Sequence, residues 1–202
     1  MRNRCFIWLL VFINFYISGV VSAQITPKNQ LNDLEKKIYE LAVKCQKECV
    51  EIINNLLASH KLTEAQIFDT FYIPIPKTNP QKFSTQYDSR IEAVLQPVLD
   101  RYVEQNPALV FIKIVDKNGY VPVHNSKYSK PLTHKSELDL VSNRTKRIFN
   151  DKTGIAAARN TNSFLLQPYK RDTGEELFDL SVPILINEKH WGAVRFGYSI
   201  KK

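Results

Sequence analysis

The sequence predicts an α+β fold, a five-stranded antiparallel sheet with a long N-terminal helix. Three observations carry this. Apolar residues recur at spacings of three and four across residues 31–60. From Leu109 onward the apolar period falls to two, the period of a strand. The strand-like segments come as a pair, then a polar basic insert, then three more.

The chain begins with a targeting pattern. Arg2 and Arg4 precede an apolar run from Cys5 to Tyr16, and Val21-Ser22-Ala23 offers small residues at a cleavage site. These are the parts of a secretory signal peptide. The expectation is cleavage after Ala23 and a periplasmic or secreted location, with a retained N-terminal anchor as the alternative. Residues 24–62 are then read as the long helix with its approach, and 63–202 as the domain that holds the sheet. The chain has 202 residues and a formal charge of +8. Without residues 1–23 the charge is +6 and the cysteines are Cys45 and Cys49. Two cysteines do not make a disulfide framework, so the core has to hold itself.

Leu31, Leu34, Ile38, Leu41, Cys45, Cys49, Ile52 and Leu56 form one helical stripe without Gly or Pro. Thr63-Glu64-Ala65-Gln66 has the capping-box pattern of a short second helix. Pro74, Pro76 and Pro80 keep residues 71–80 from long regular structure. Residues 85–105 read as helix, with Pro97 opening a new turn. Leu109–Val115 is a β-branched run, Asp116-Lys117-Asn118-Gly119 a turn, and Tyr120–His124 the returning strand. A helix is expected near 136–150. Residues 163–170, 177–186 and 190–200 read as the last three strands.

This order of elements is that of a PAS/Cache-like sheet with spatial order 2-1-5-4-3. Pro122 and Pro168 then fall on the two edge strands, where a missing N–H is tolerated. Phe178, Leu180, Val182, Ile184 and Ile186 share one face with Val194, Phe196, Tyr198 and Ile200. The opposite face carries Asp179, Ser181, Trp191, Arg195, Gln167 and Tyr169, which is too polar for plain core. Apolar walls with a few placed donors suit a small ligand, and a guanidinium such as Arg195 favours a carboxylate or another planar anion. An internal Arg195–Asp179 pair is the plainer reading, and the two are compatible. His124 lies on one side of the first hairpin together with Phe111 and Lys113.

Residues 117–152 hold eight Lys/Arg against three acids, five of the mature six charges. They include Arg144 and Arg147. No nucleic-acid motif or interleaved aromatics accompany them, so no nucleic-acid partner is expected. A solvated helix face and a wall closing over an anionic ligand both remain open.

Five segments resemble, in order, parts of a sensory domain found in bacterial methyl-accepting chemotaxis proteins. They are GYVPVHN (119–125), NRTKRIFNDKTG (143–154), FLLQPYKRDTGE (164–175), DLSVPI (179–184) and HWGAVRFGY (190–198). Residues 67–70 and 73–80 also fit, and the resemblance runs over 64–199. It implies a Cache/PAS-like sensory module in chemotaxis-type signal transduction, without known catalytic residues or a cofactor. The chain lacks the second span and signalling hairpin of those receptors. The expectation is therefore a free binding protein, or a sensory half that docks on a membrane-bound signalling partner.

The reading that follows is a small-molecule-binding module. Its ligand-binding candidates are Tyr169, Ser181, Trp191, Arg195, His124, Arg144, Arg147 and Gln167. A structural module dimerising through helix 31–60 is the alternative. Cys45 and Cys49 are either core thiols, an i,i+4 disulfide, or an intermolecular bridge; the string lacks the C-x-x-C-H of covalent haem and the ligand number of a zinc site. His124 and His190 could move protons, but no nucleophile–base–orienter set can be assembled, so no enzyme is expected.

Overall fold

The computed structural model describes residues 30–199. The signal-peptide reading and Ile200 lie outside the described residues. The elements are α1 (Asp33–Ala58), α2 (Glu64–Ile67), β1 (Ile73–Ile75), β2 (Lys82–Ser84), α3 (Asp88–Val103), β3 (Leu109–Asp116), β4 (Val123–His124), α4 (Ser136–Ser142), α5 (Lys152–Arg159), β5 (Leu165–Lys170), β6 (Glu176–Ile186) and β7 (Lys189–Tyr198). A 3-10 turn spans Ser126–Tyr128. The main sheet is antiparallel with order β4-β3-β7-β6-β5. That is the expected 2-1-5-4-3. β1 and β2 form a separate two-stranded sheet.

α1 starts where Asn32 and Glu35 cap each other, the Asn32 side chain accepting from Glu35 N at 2.9 Å and Glu35 from Asn32 N at 2.8 Å. Such a cap is worth about 1 kcal/mol. It ends at Ser59, and His60 follows with φ of 56°. The face bearing Ile38, Ala42, Cys45, Cys49 and Ile53 is fully buried against the sheet. α3 packs beside it with Ile91, Leu95, Leu99 and Tyr102. From the sheet, Ile112, Ile114, Leu180, Val182, Ile184, Val194, Phe196 and Tyr198 complete this core. The stripe of α1 is thus spent on its own sheet. Among the described residues no helix is long and apolar enough to cross a membrane.

Three details differ from the sequence reading, and a fourth decides among its alternatives. Pro97 does not open a turn; it sits inside α3. Pro97 and Ala93 are exposed, so the carbonyl deprived of its N–H faces water. The insert helix stops at Ser142, and 143–149 runs along the hairpin as an irregular segment with a turn at Thr145-Lys146, where Lys146 has φ of 60°. Val121 N donates to Arg147 O (2.9 Å), Lys146 N to Val121 O (2.7 Å) and Phe149 N to Gly119 O (2.9 Å). The second strand of the hairpin is shorter than expected, since Pro122 precedes β4. Finally, Cys45 and Cys49 are free thiols with Sγ atoms 4.0 Å apart inside the core. Their contact and their burial push the Cys45 thiol up, so it stays protonated. Both have no exposed surface, so a bridge to a second chain is ruled out in this fold.

Lys82 ties this segment to the body. Its ammonium donates to Asn143 O (3.1 Å), Asn143 Oδ1 (2.6 Å) and Thr145 O (2.5 Å). Burial, then Arg147, bring it down to about 7. An unfolded lysine titrates near 10.4, so between about pH 7 and 10 the unfolded chain binds the extra proton. Stability should therefore rise with pH over that window. Urea unfolding at pH 7 and 9 should show a smaller rise in Lys82→Met than in the parent, and equal rises would refute this account.

Candidate functional site

The face of the sheet opposite the core carries one continuous row across all five strands. Register pairs His124 with Lys113, Lys113 with Arg195, Arg195 with Ser181, and Ser181 with Leu165. The next row is Phe111, Gly197, Asp179 and Gln167. Lys113, His124, Asp179, Ser181 and Arg195 are all buried. A polar row can be buried only if something covers it and its groups find partners.

Two covers exist. α5 lies over one end, burying Ala157 and Ala158; Ala158 packs with Val115 and Ala193. Gln167 Nε2 donates to Thr153 O of this helix at 2.9 Å. The 3-10 turn, segment 143–149 and the β5–β6 turn close the other end. Arg144 is 1% exposed and donates to Leu140 O (3.0 Å) and Asp172 Oδ1 (2.5 Å). Arg147 reaches the other oxygen of Asp172 at 2.8 Å. Burial opposes ionisation of Asp172, but Arg144 and Arg147 outweigh it and hold its carboxyl below the usual range. Arg171 pairs with Glu175 Oε2 (2.5 Å) and stacks 4.6 Å over the Tyr128 ring.

Arg195 forms the floor. Its Nε donates to Asp179 Oδ1 (3.0 Å) and Oδ2 (3.2 Å), and its guanidinium lies 5.1 Å over the Tyr169 ring. Burial disfavours its charge, but Asp179 more than compensates and raises it. Both terminal nitrogens of Arg195 are buried without a partner among the described residues, as are one nitrogen each of Arg147 and Arg171. Phe111 leans over β7 at Gly197, where a Cβ would sit 2.0 Å from the ring, and meets Tyr169 edge-on at 6.2 Å. His124 bonds Asn125 Oδ1 at 2.9 Å. Burial, then Lys113 and Arg144, drive its imidazole well below its ordinary value, so it is neutral.

The structure brings Tyr169, Ser181, Arg195, His124, Arg144, Arg147 and Gln167 to this one face. The Arg195–Asp179 pair is present as well. Trp191 is not with them. Along β7 the pairing skips it: Gly192 pairs with Ile184 and His190 with Leu185. This bulge turns Trp191 to the core side, where Nε1 donates to Ile67 O at 2.7 Å and the ring meets Tyr87. Sequence reasoning left out Lys113, Phe149, Arg171 and Asp172 as site residues. Lys113 had a signal, a lone lysine inside the β-branched run 109–115. Among the described residues no cluster of His, Cys, Asp or Glu could hold a metal.

No family model and no curated protein matches the chain. Solved structures do. The sensory domain of the Campylobacter jejuni chemoreceptor Tlp3 with isoleucine bound is 17% identical, with 87% of this chain covered, 64% of that one, and a TM-score of 0.36. The ligand-binding domain of Mlp24 with asparagine is 16% identical, covering 84% and 62%, at 0.35. An extracellular ligand binding receptor from Desulfohalobium retbaense is 15% identical, covering 77% and 24%, at 0.37. This chain therefore spans about a quarter to just under two thirds of the chains it matches. By fold it is a Cache/PAS-like domain. That assignment rests on its own strand order, with α1 and α3 on one face of the sheet and the basic insert with α5 on the other.

Proposed function

We propose that the chain is an extracytoplasmic sensory module that binds a small organic anion between the sheet and the insert and reports it to a partner protein. One observation carries this. Arg195 has no exposed surface, spends only Nε on Asp179, and leaves both terminal nitrogens without a partner. An unsatisfied buried donor costs about 1–3 kcal/mol, more when charged. A carboxylate is the planar acceptor that answers a guanidinium edge with two parallel hydrogen bonds. The free nitrogens of Arg147 and Arg171 belong to the cover of the same polar face. A ligand would therefore join floor to cover, and its arrival would be felt by segment 143–149. The export reading supports the location. Any homodimer through helix 31–60 has to join the polar outer face of α1, Lys37, Glu40, Lys44, Lys47 and Glu51, since the apolar face is buried.

A thermal-shift series with small carboxylates and their neutral amides tests the reading. At least one carboxylate should raise Tm, and its fully amidated form should not. Equal shifts from both, or none from any carboxylate, would refute it.

A further inference from the structure

We propose that the ligand carries two negative charges and no cationic group, which makes it a short dicarboxylate. This rests on the reading of Arg195 as an anion site. Lys113 and Arg195 face each other directly across β3 and β7, and both are buried. Like charges in that position repel. Lys113 pairs with no carboxylate among the described residues. Its ammonium lies over the rings of Phe149 (4.4 Å), Phe111 (5.0 Å) and Tyr169 (5.5 Å).

The charges around it are unequal. β3 supplies Lys113, β7 Arg195, and the cover Arg144, Arg147 and Arg171. Against these five cations stand three committed acids: Asp179 on Arg195, Asp172 on Arg144 and Arg147, and Glu175 on Arg171. His124 on β4 is neutral. Asp151 is exposed and caps α5 through Gly154 N. With Lys113 protonated, as it becomes beside a bound carboxylate, two positive charges stand without a partner. A single carboxylate balances one of them.

A cationic group on the ligand has nowhere to go. The ring faces that attract cations are in use: Phe149 by Lys113, Arg144 and Arg147, Tyr128 by Arg171, and Tyr169 by Arg195. Asp179 already receives Arg195 Nε with both oxygens. This covered face thus discriminates against the ammonium of an α-amino acid.

Lys113 also makes binding proton-linked. Burial, then Arg195 and Arg144, push its ammonium well below the usual range without a ligand. A second carboxylate beside it reverses the balance, and Lys113 takes a proton from solvent as the dianion enters.

Isothermal titration of the full chain near pH 7 tests this with malonate, succinate and glutarate, their mono-amides, propionate, L-aspartate, sulfate and phosphate. One dicarboxylate should bind at least about tenfold more tightly than its mono-amide and than L-aspartate. Its heat should change with the ionisation enthalpy of the buffer. Lys113→Met should fold, since it replaces a buried amine that has no carboxylate partner with an apolar chain of similar length, and should abolish both the preference and the buffer dependence. A mono-amide, propionate or aspartate binding as tightly as any dicarboxylate would overturn the dianion while leaving the anion reading intact. Tighter binding of sulfate or phosphate would overturn the dicarboxylate. Binding by no probe would overturn the Arg195 reading itself, and a Lys113→Met variant with the preference unchanged would remove Lys113 from the site.

Discussion

Arg195→Ala should cost roughly 3–5 kcal/mol of stability, whereas Arg195→Met combined with Asp179→Leu should come within about 1–2 kcal/mol of the parent or exceed it. The asymmetry follows from burial. Arg195 and Asp179 have no exposed surface and hold each other at 3.0 Å. Removing the guanidinium alone strands a carboxylate between β5 and β7, beside Gln167 and Gly197. Replacing both puts apolar side chains on a face that already carries Phe111, Tyr169 and Leu177. The paired variant also separates stability from function. It should fold and give no carboxylate-dependent rise in Tm, because the two free guanidinium nitrogens are gone. Urea unfolding of the single and double variants, each with and without the best carboxylate, reads both effects. A single variant costing less than about 1 kcal/mol would show that the pair is not the buried contact described. A double variant still stabilised by the carboxylate would move the site elsewhere.

What the sequence disclosed depends on how local the signal is. The 3.6-residue stripe of α1 and the two-residue alternation of β6 are local, and both elements form within two or three residues of the expected bounds. The strand order follows from three chain reversals and the crossover across the insert. Pro183 lies in central β6 but is tolerated, since β5 begins at Leu165 opposite Ser181 and leaves Pro183 paired to β7 alone. The seven site residues that share a face could be found because they lie on regular strands or in the dense basic segment.

The rest needed partners distant in sequence. Asn143–Phe149 leaves the helical path because Lys82, 61 residues upstream of Asn143, donates to the carbonyls of Asn143 and Thr145, Phe83 N of β2 donates to that of Lys146, and Val121 N of the hairpin donates to that of Arg147. No window around 136–150 contains that information. Asp172 joins Arg144 to Arg147 from a turn 25 residues or more away. The face of Trp191 was lost through a single bulge, since one inserted residue reverses every side chain beyond it on that strand.

That bulge is the subject of the second large effect. Gly192→Ala should destabilise the protein by about 3 kcal/mol or more. A Cβ there would lie 2.0 Å from the Val115 carbonyl oxygen and 2.7 Å from Asp116 Cα. These are backbone atoms of β3, so no side-chain rotation relieves the overlap. The strands can separate only by giving up the Lys117 N bond to Trp191 O (2.8 Å) and disturbing Asp116. Asp116 accepts from Tyr72 (2.5 Å) and Tyr87 (3.0 Å), so the damage reaches the core side. Gly174→Ala is the matched control. It sits in the β5–β6 turn at φ of 85° with nothing within 4 Å of a Cβ, so only the left-handed backbone penalty of about 1–2 kcal/mol applies. Trp191 reports the difference directly, because the other tryptophan, Trp8, lies in the segment expected to be cleaved. In a chain beginning at Gln24, Gly192→Ala should shift the native emission to the red as the indole loses Ile67 O and Tyr87, and Gly174→Ala should not. A cost no greater than that of Gly174→Ala, with unshifted emission, would mean that the close approach of β3 and β7 at Gly192 does not set the face of Trp191. With it would go the reason why Arg195, three residues on, points away from α1 and α3 and onto the covered polar face.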